Sequence, residues 1–171
     1  NYGTVDILWW DGPYPEPRIF RPEELNAMVR SLQPDILIND RAGTREDFGT
    51  PEGEVRALDR PWEVCFSMRN SWGYRPGPRG YKTVDHLLGI LADAAGRDGN
   101  SLLNVGPDAD GRFPRESVER LQALGDWLRT YGEAIYSTRG FHLANQPYGA
   151  TTRRGDTVYL LCHHLWPGET M

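Results

Sequence analysis

The sequence predicts an α/β fold of short parallel strands joined by right-handed helical crossovers, and three observations lead there. Short apolar runs of strand length recur along the chain, each closed by turn-forming or polar residues. Segments with apolar residues at helical spacing alternate with them. The 171 residues, 39% hydrophobic and 25% charged, are enough to bury a sizeable core. Such a pattern fits either an open doubly wound sheet or a (β/α) barrel.

Residues 5–10 form the first apolar run, with β-branched and aromatic side chains, and Asp11, Gly12 and Pro13 close it. Pro22 stands where a first helical turn tolerates it, and Glu23 and Glu24 suit the positive end of a helix dipole. Leu25, Met28, Val29 and Leu32 then recur at helical spacing until Pro34 stops the helix. Ile36, Leu37 and Ile38 make a second strand that runs into Asn39, Asp40 and Arg41, and a polar loop with Asp47, Glu52 and Glu54 follows. A third strand is expected over 62–66, then a Gly/Pro/Arg-rich loop over 69–80 and a helix through Val84, Leu87, Leu88 and Leu91. Leu102, Leu103 and Val105 give a fourth strand. A turn over 106–111 leads to a helix with Val118, Leu121, Leu124, Trp127 and Leu128 on one face. Near Asn145 the pattern changes: 158–162 is strand-like, lies between Gly155, Asp156 and Pro167, and has no following helix, so a second, all-β domain is expected to begin there.

A net charge of −5 without a run of five or more like charges speaks against nucleic acid or an anionic membrane as partner, so a small or neutral molecule is expected. No apolar run approaches the roughly 20 residues that span a bilayer, and the first residues lack the basic-then-apolar pattern of a secretory signal. Cys65 and Cys162 fit no metal-ligand spacing and are expected as buried thiols. Opening at Asn1 and going directly into a strand predicts that an N-terminal part precedes these residues; the C-terminus reads as cut as well.

In a barrel the reacting groups stand at the C-terminal ends of strands, and Asp11, Asp40 and Arg41 fall there, with Glu52 in the same loop. The sequence has no Gly-rich phosphate loop, no zinc-binding HExxH helix and no G-x-S-x-G elbow. A pair of strand-end acids can cleave a glycosidic bond, and Trp9, Trp10, Trp72 and Tyr74 offer rings on which apolar sugar faces stack.

Five runs sharpen this reading: 6–12 (DILWWDG), 38–41 (INDR), 47–52 (DFGTPE), 71–74 (SWGY) and 100–107 (NSLLNVGP). In order and spacing they resemble successive motifs of the α-L-fucosidases of glycoside hydrolase family 29, over about residues 3–138. The resemblance implies the second half of a (β/α)8 TIM-like barrel over residues 1–140, followed over 141–171 by the start of a C-terminal β-sandwich domain. It implies a retaining exo-glycosidase that removes terminal α-L-fucosyl residues by double displacement. Asp11 would be the nucleophile and Glu52 the acid/base, with Glu54 as the alternative; such a pair stands about 5–5.5 Å apart in a retaining enzyme. Arg41 matches an arginine that reaches the sugar or the nucleophile, and Trp9 and Trp72 match aromatic positions that hold the apolar side of fucose with its C5 methyl group.

Neither metal nor organic cofactor is implied. The partner is a fucosylated oligosaccharide or glycoconjugate, without nucleic acid or membrane, and a periplasmic or secreted location is expected. Family members draw further sugar contacts, histidines among them, from earlier strands absent from these residues. The isolated chain is therefore expected to be inactive and poorly folded, with sheet edges and apolar strand faces exposed. The competing readings are a non-catalytic fucose-binding protein on the same scaffold and a retaining hydrolase for another sugar.

Other residues carry structural expectations. Asp40 would anchor its loop through Arg41 or touch substrate, and Trp10, pointing opposite to Trp9, would pack in the core. Asp108, Asp110 and Gly111 lack the closing ligands of a calcium loop and read as a turn. His163 and His164 would face opposite sides of a strand, and Trp127 and Tyr131, four apart on a helix, would pack together.

Overall fold

A computed structural model describes residues 3–12, 20–143 and 148–163; Pro13, Asn145, His164 and Pro167 lie outside the described residues. The architecture is α/β, and the chain divides into two compact units, Asn1–Pro51 with Leu58–Glu63 and Glu52–Ala57 with Val64–Met171.

In the first unit, β1 (Ile7–Leu8) pairs in parallel with β2 (Leu37–Ile38), Ile7 opposite Leu37 and Leu8 opposite Ile38. Parallel neighbours need a crossover, and α1 (Pro22–Leu32) supplies it. Both strands are shorter than their apolar runs, and single parallel bridges join Asn39 to Phe48 and Gly49 to Trp62. The helix bounds match the sequence reading. Pro22 and Asn26 are buried, whereas Met28 is 53% and Leu32 74% exposed.

A polar seam runs along the buried side of this helix. Asn26 Oδ1 accepts from the Trp10 indole N–H at 3.0 Å, and Asn26 Nδ2 donates to Glu46 Oε1 at 2.7 Å and Thr44 Oγ1 at 3.2 Å. Arg30 continues the seam, reaching the Glu46 and Asp47 carboxylates at 2.8 Å each and the Ile36 carbonyl at 2.9 Å. Burial pushes both acids up. Hydrogen bonds from Arg30 to each, from Asn26 and Thr44 to Glu46, and from the Ile38 N–H to Asp47 outweigh it, holding both carboxyls below their usual range.

In the second unit, β3 (Glu63–Ser67), which the chain enters from the first, has Val64 to Ser67 buried and pairs with β4 (Asn100–Asn104). Helix α2 (Val84–Gly96) starts at Thr83, whose hydroxyl accepts from the His86 N–H. Helix α3 (Arg115–Tyr131) carries Trp127 and Tyr131 with ring centroids 5.5 Å apart, the packing expected of an i,i+4 pair. Three antiparallel strands follow in the order β5 (Arg139–Gly140), β6 (Gly149–Arg154) and β7 (Thr157–Cys162), of which the sequence reading found only the last.

The sheet seats on α2 through a core of Ala92, Ala134, Ala150 and Leu161, against which Trp127, Ile135 and Tyr159 pack. Small residues set the spacing: a methyl group on Gly96 would lie 2.9 Å from Ala150 Cβ. Cys65 is buried as expected, but Cys162 is exposed, because the alternation of β7 turns Leu161 inward and its neighbour outward. His163 Nε2 lies 3.1 Å from Asp93 Oδ1 on α2. Asp108 Oδ1 accepts from the N–H groups of Asp110 and Arg112, which makes the expected turn. Among the described residues no His/Cys/Asp/Glu cluster could hold a metal ion, and no helix is long and apolar enough to cross a membrane.

Candidate active site

The site residues named from sequence divide between the units. Trp9, Asp11 and Arg41 lie in the first, and Glu52, Glu54 and Trp72 in the second.

Asp11 leaves the end of the first strand segment as an exposed carboxylate. The residue before it is held firmly. The Trp10 N–H donates to Asn39 Oδ1 and Asn39 Nδ2 donates back to the Trp10 carbonyl, both at 2.9 Å, and Asn39 is completely buried. Trp10 also meets the edge of Phe20 at a centroid distance of 5.1 Å, and its half-buried side chain packs as expected of a structural residue.

Trp9 and Arg41 come together. The guanidinium carbon lies 4.9 Å from the indole centroid, a cation–π contact. Arg41 Nε also donates to Thr50 Oγ1 at 3.1 Å, and that hydroxyl donates to Asp40 Oδ1 at 2.9 Å. Asp40 accepts from the Thr50 N–H too, and pairs with Arg60 at 2.7 Å. Asp40 thus anchors its loop through Thr50 and Arg60, and the Thr50 hydroxyl links it to Arg41. At the far edge of Trp9 the indole N–H donates to Glu63 Oε1 at 2.6 Å. Glu63 escaped the sequence reading, although a lone acid inside the apolar run 62–66 was its signal.

In the second unit, Glu52 bridges to Cys65 in parallel, and the Gly53 N–H donates to the Cys65 carbonyl at 2.9 Å. Glu54 follows two residues on, and both acids are exposed. Trp72, 45% exposed, rides on the 69–80 loop beside Tyr74, 47% exposed. Asn104 Nδ2 holds that loop by donating to the Trp72 carbonyl at 2.7 Å and to Ser67 Oγ at 3.2 Å, while Ser67 Oγ donates to the Ser71 carbonyl. Gly106 leaves room for it: a methyl group there would lie 2.7 Å from both Gly73 C and Tyr74 N. The 100–107 motif therefore supplies a clamp and a gap for the segment that presents Trp72.

Comparison with known proteins points to one family. The sequence profile described as α-L-fucosidase matches residues 1–133. An α-L-fucosidase of Branchiostoma floridae is 36% identical over 184 aligned positions, covering 96% of this chain and 40% of that protein. The plasma α-L-fucosidase of Homo sapiens is 38% identical over 163 positions, covering 85% of this chain and 34% of its own length. Among solved structures, α-L-fucosidase isoenzyme 1 from Paenibacillus thiaminolyticus superposes with a TM-score of 0.83 at 32% identity, covering 92% of this chain and 42% of that one. The Thermotoga maritima α-fucosidase in complex with a mechanism-based inhibitor gives a TM-score of 0.75 at 35% identity, covering 90% and 37%. The chain spans about 40% of the length of the first of these curated relatives.

Proposed function

The chain belongs to the α-L-fucosidase family, glycoside hydrolase family 29, and from that membership we propose that it carries the catalytic carboxylates of a retaining exo-α-L-fucosidase. In this reading residues 1–140 are the second half of a (β/α)8 barrel and 141–171 begin a C-terminal β-sandwich. The substrate is a terminal α-L-fucosyl residue on an oligosaccharide or glycoconjugate, and the reaction needs neither metal nor organic cofactor.

Asp11 attacks the anomeric carbon while Glu52 protonates the departing glycosidic oxygen, which leaves a covalent fucosyl ester on Asp11. Glu52 then takes a proton from water, which displaces Asp11 and restores the original configuration. Glu54 is the alternative acid/base. Arg41 holds negative charge at the sugar or at Asp11, and Trp9 and Trp72 stack on the apolar face that includes the C5 methyl group.

The observation that carries the reading is the end of the first strand, where an exposed Asp11 follows a doubly hydrogen-bonded Trp10 and the neighbouring Trp9 ring stacks with Arg41. The test is trapping of the full-length protein with a fluorinated fucosyl fluoride, followed by peptide mass spectrometry. Label on Asp11 is expected, and label on another carboxylate would refute the assignment. Replacing Asp11 with Gly should abolish hydrolysis and allow rescue by azide. A protein that binds fucose with unchanged affinity and never turns over would be the non-catalytic scaffold, and faster cleavage of a galactoside or glucoside would mark a different sugar specificity.

A further inference from the structure

Asn39 stands at the N-cap of a short 3-10 helix, Asp40–Ala42, in extended backbone conformation with φ −82° and ψ 170°. An asparagine there ordinarily turns its side chain onto the first free N–H groups of the helix. Asn39 makes no such bond. Its carboxamide is buried and bonds instead to both the N–H and the carbonyl of Trp10 at 2.9 Å.

The ladder between β1 and β2 explains why this matters. Ile7 faces Leu37 and Leu8 faces Ile38, and the Asn39 N–H still donates to the Leu8 carbonyl at 3.4 Å. Beyond that rung the second strand turns away into the 3-10 helix and no longer offers a peptide group to its partner. The Asn39 carboxamide, with one donor and one acceptor in a plane, takes the place of the missing peptide. It extends the ladder by one rung, two residues on, to Trp10, the last before Asp11. A second buried carboxamide, Asn26, holds the Trp10 indole N–H, so the residue before Asp11 is fixed by backbone and side chain together.

We propose that Asn39 is a positioning residue for the nucleophile, setting the direction in which Asp11 leaves the strand. The proposal rests on the reading of Asp11 as the nucleophile. Asn39 touches no substrate in this account; it acts through Trp10.

The experiment is a cycle in the full-length protein with an aryl α-L-fucoside. Asn39→Ala and the isosteric Asn39→Asp are each measured in the parent and in an Asp11→Gly background, where azide supplies the nucleophile. In the parent, Asn39→Ala is expected to lower kcat by about 10- to 100-fold with KM within about 3-fold, the loss typical of a displaced reacting group. In the azide-rescued background the same substitution is expected to cost less than about 3-fold, because no carboxylate is left to orient. Asn39→Asp can reproduce both bonds only as the neutral acid, so its kcat relative to parent should fall as pH rises. Equal losses in both backgrounds, or failure of both variants to fold, would make Asn39 a structural residue and overturn the proposal. Absence of azide rescue in Asp11→Gly alone would instead count against Asp11 as the nucleophile.

Discussion

The Trp9 ring is held at its edge by Glu63, whose carboxylate accepts the indole N–H at 2.6 Å. The Arg41 guanidinium lies 4.9 Å from the centroid of the same ring. An anion in the ring plane and a cation on the ring face fix both tilt and rotation, and the charge-assisted bond is the stronger of the two restraints.

Cutting that bond should be felt in substrate binding. On the proposed reading, Glu63→Ala in the full-length protein is expected to raise KM for an aryl α-L-fucoside by about 10-fold, with kcat changed by less than about 3-fold, in line with the worth of a charged hydrogen bond. Glu63→Gln keeps an acceptor for the indole N–H and should fall between the two. Steady-state kinetics decide it, and an unchanged KM in Glu63→Ala would mean that the ring is positioned without Glu63.

The Arg30, Glu46 and Asp47 seam predicts how stability depends on acidity. Both carboxyls are held below their usual range in the folded state, so each binds fewer protons folded than unfolded over that interval. Their stabilisation is complete above about pH 5 and is lost as pH falls through the depressed folded-state values. Arg30→Ala leaves two partly buried acids, with side chains 14% and 34% exposed, without their cation. It should cost about 1–3 kcal/mol at pH 7 and flatten the acid limb of the stability profile. Urea titrations of both proteins from pH 3 to pH 7 measure this, and parallel profiles would show that the seam is not the source of the acid sensitivity.

That seam also marks the boundary of what the sequence could reveal. Pro22, Glu23 and Pro34 announced α1 correctly because they act on local backbone, which a single sequence displays. Its seat was not legible: Leu25, Met28, Val29 and Leu32 have helical spacing, but only the partners of Asn26 show that a carboxamide takes a buried position. β7 was legible as an apolar run, whereas β6, with sequence GATTRR, has no apolar period; Thr151 and Thr152 are buried through contacts made elsewhere in the fold. At the site, Asp11, Arg41 and Trp72 stood out as chemistry-bearing side chains in recognisable runs. Asn39 sat in one of those runs without a visible task, since its bonds to Trp10 span 29 residues.

Gly106 tests whether the 69–80 loop depends on close approach. A methyl group at this position would press on backbone atoms of Gly73 and Tyr74 at 2.7 Å, and backbone cannot rotate aside as a side chain can. Gly106→Ala should therefore shift the segment bearing Trp72, raise KM for an aryl α-L-fucoside by about 10-fold, and cost about 1–3 kcal/mol in stability, the range of overpacking. Kinetics together with Trp fluorescence of the full-length protein give the readout. Parent-like values for both would mean that the loop has slack to accept the methyl group.

The β5–β7 sheet is attached through a buried hydroxyl as well as through a small apolar core. Thr152 is wholly buried, and its Oγ1 donates to the Ala134 carbonyl at 2.6 Å. That carbonyl lies in the short 3-10 turn Gly132–Ala134 after α3, so the bond ties the middle strand of the sheet to a helix end. Thr152→Val preserves shape and β-branching but strands a buried acceptor, which should cost about 1–3 kcal/mol. Thr152→Ser keeps the donor and loses only a methyl group, at about 1 kcal/mol. The order of the two variants carries the argument. Packing alone would make Ser the worse substitution, so a lower melting temperature for Val than for Ser identifies the hydrogen bond as the dominant restraint, and the reverse order would assign that role to the core around Ala150 and Leu161.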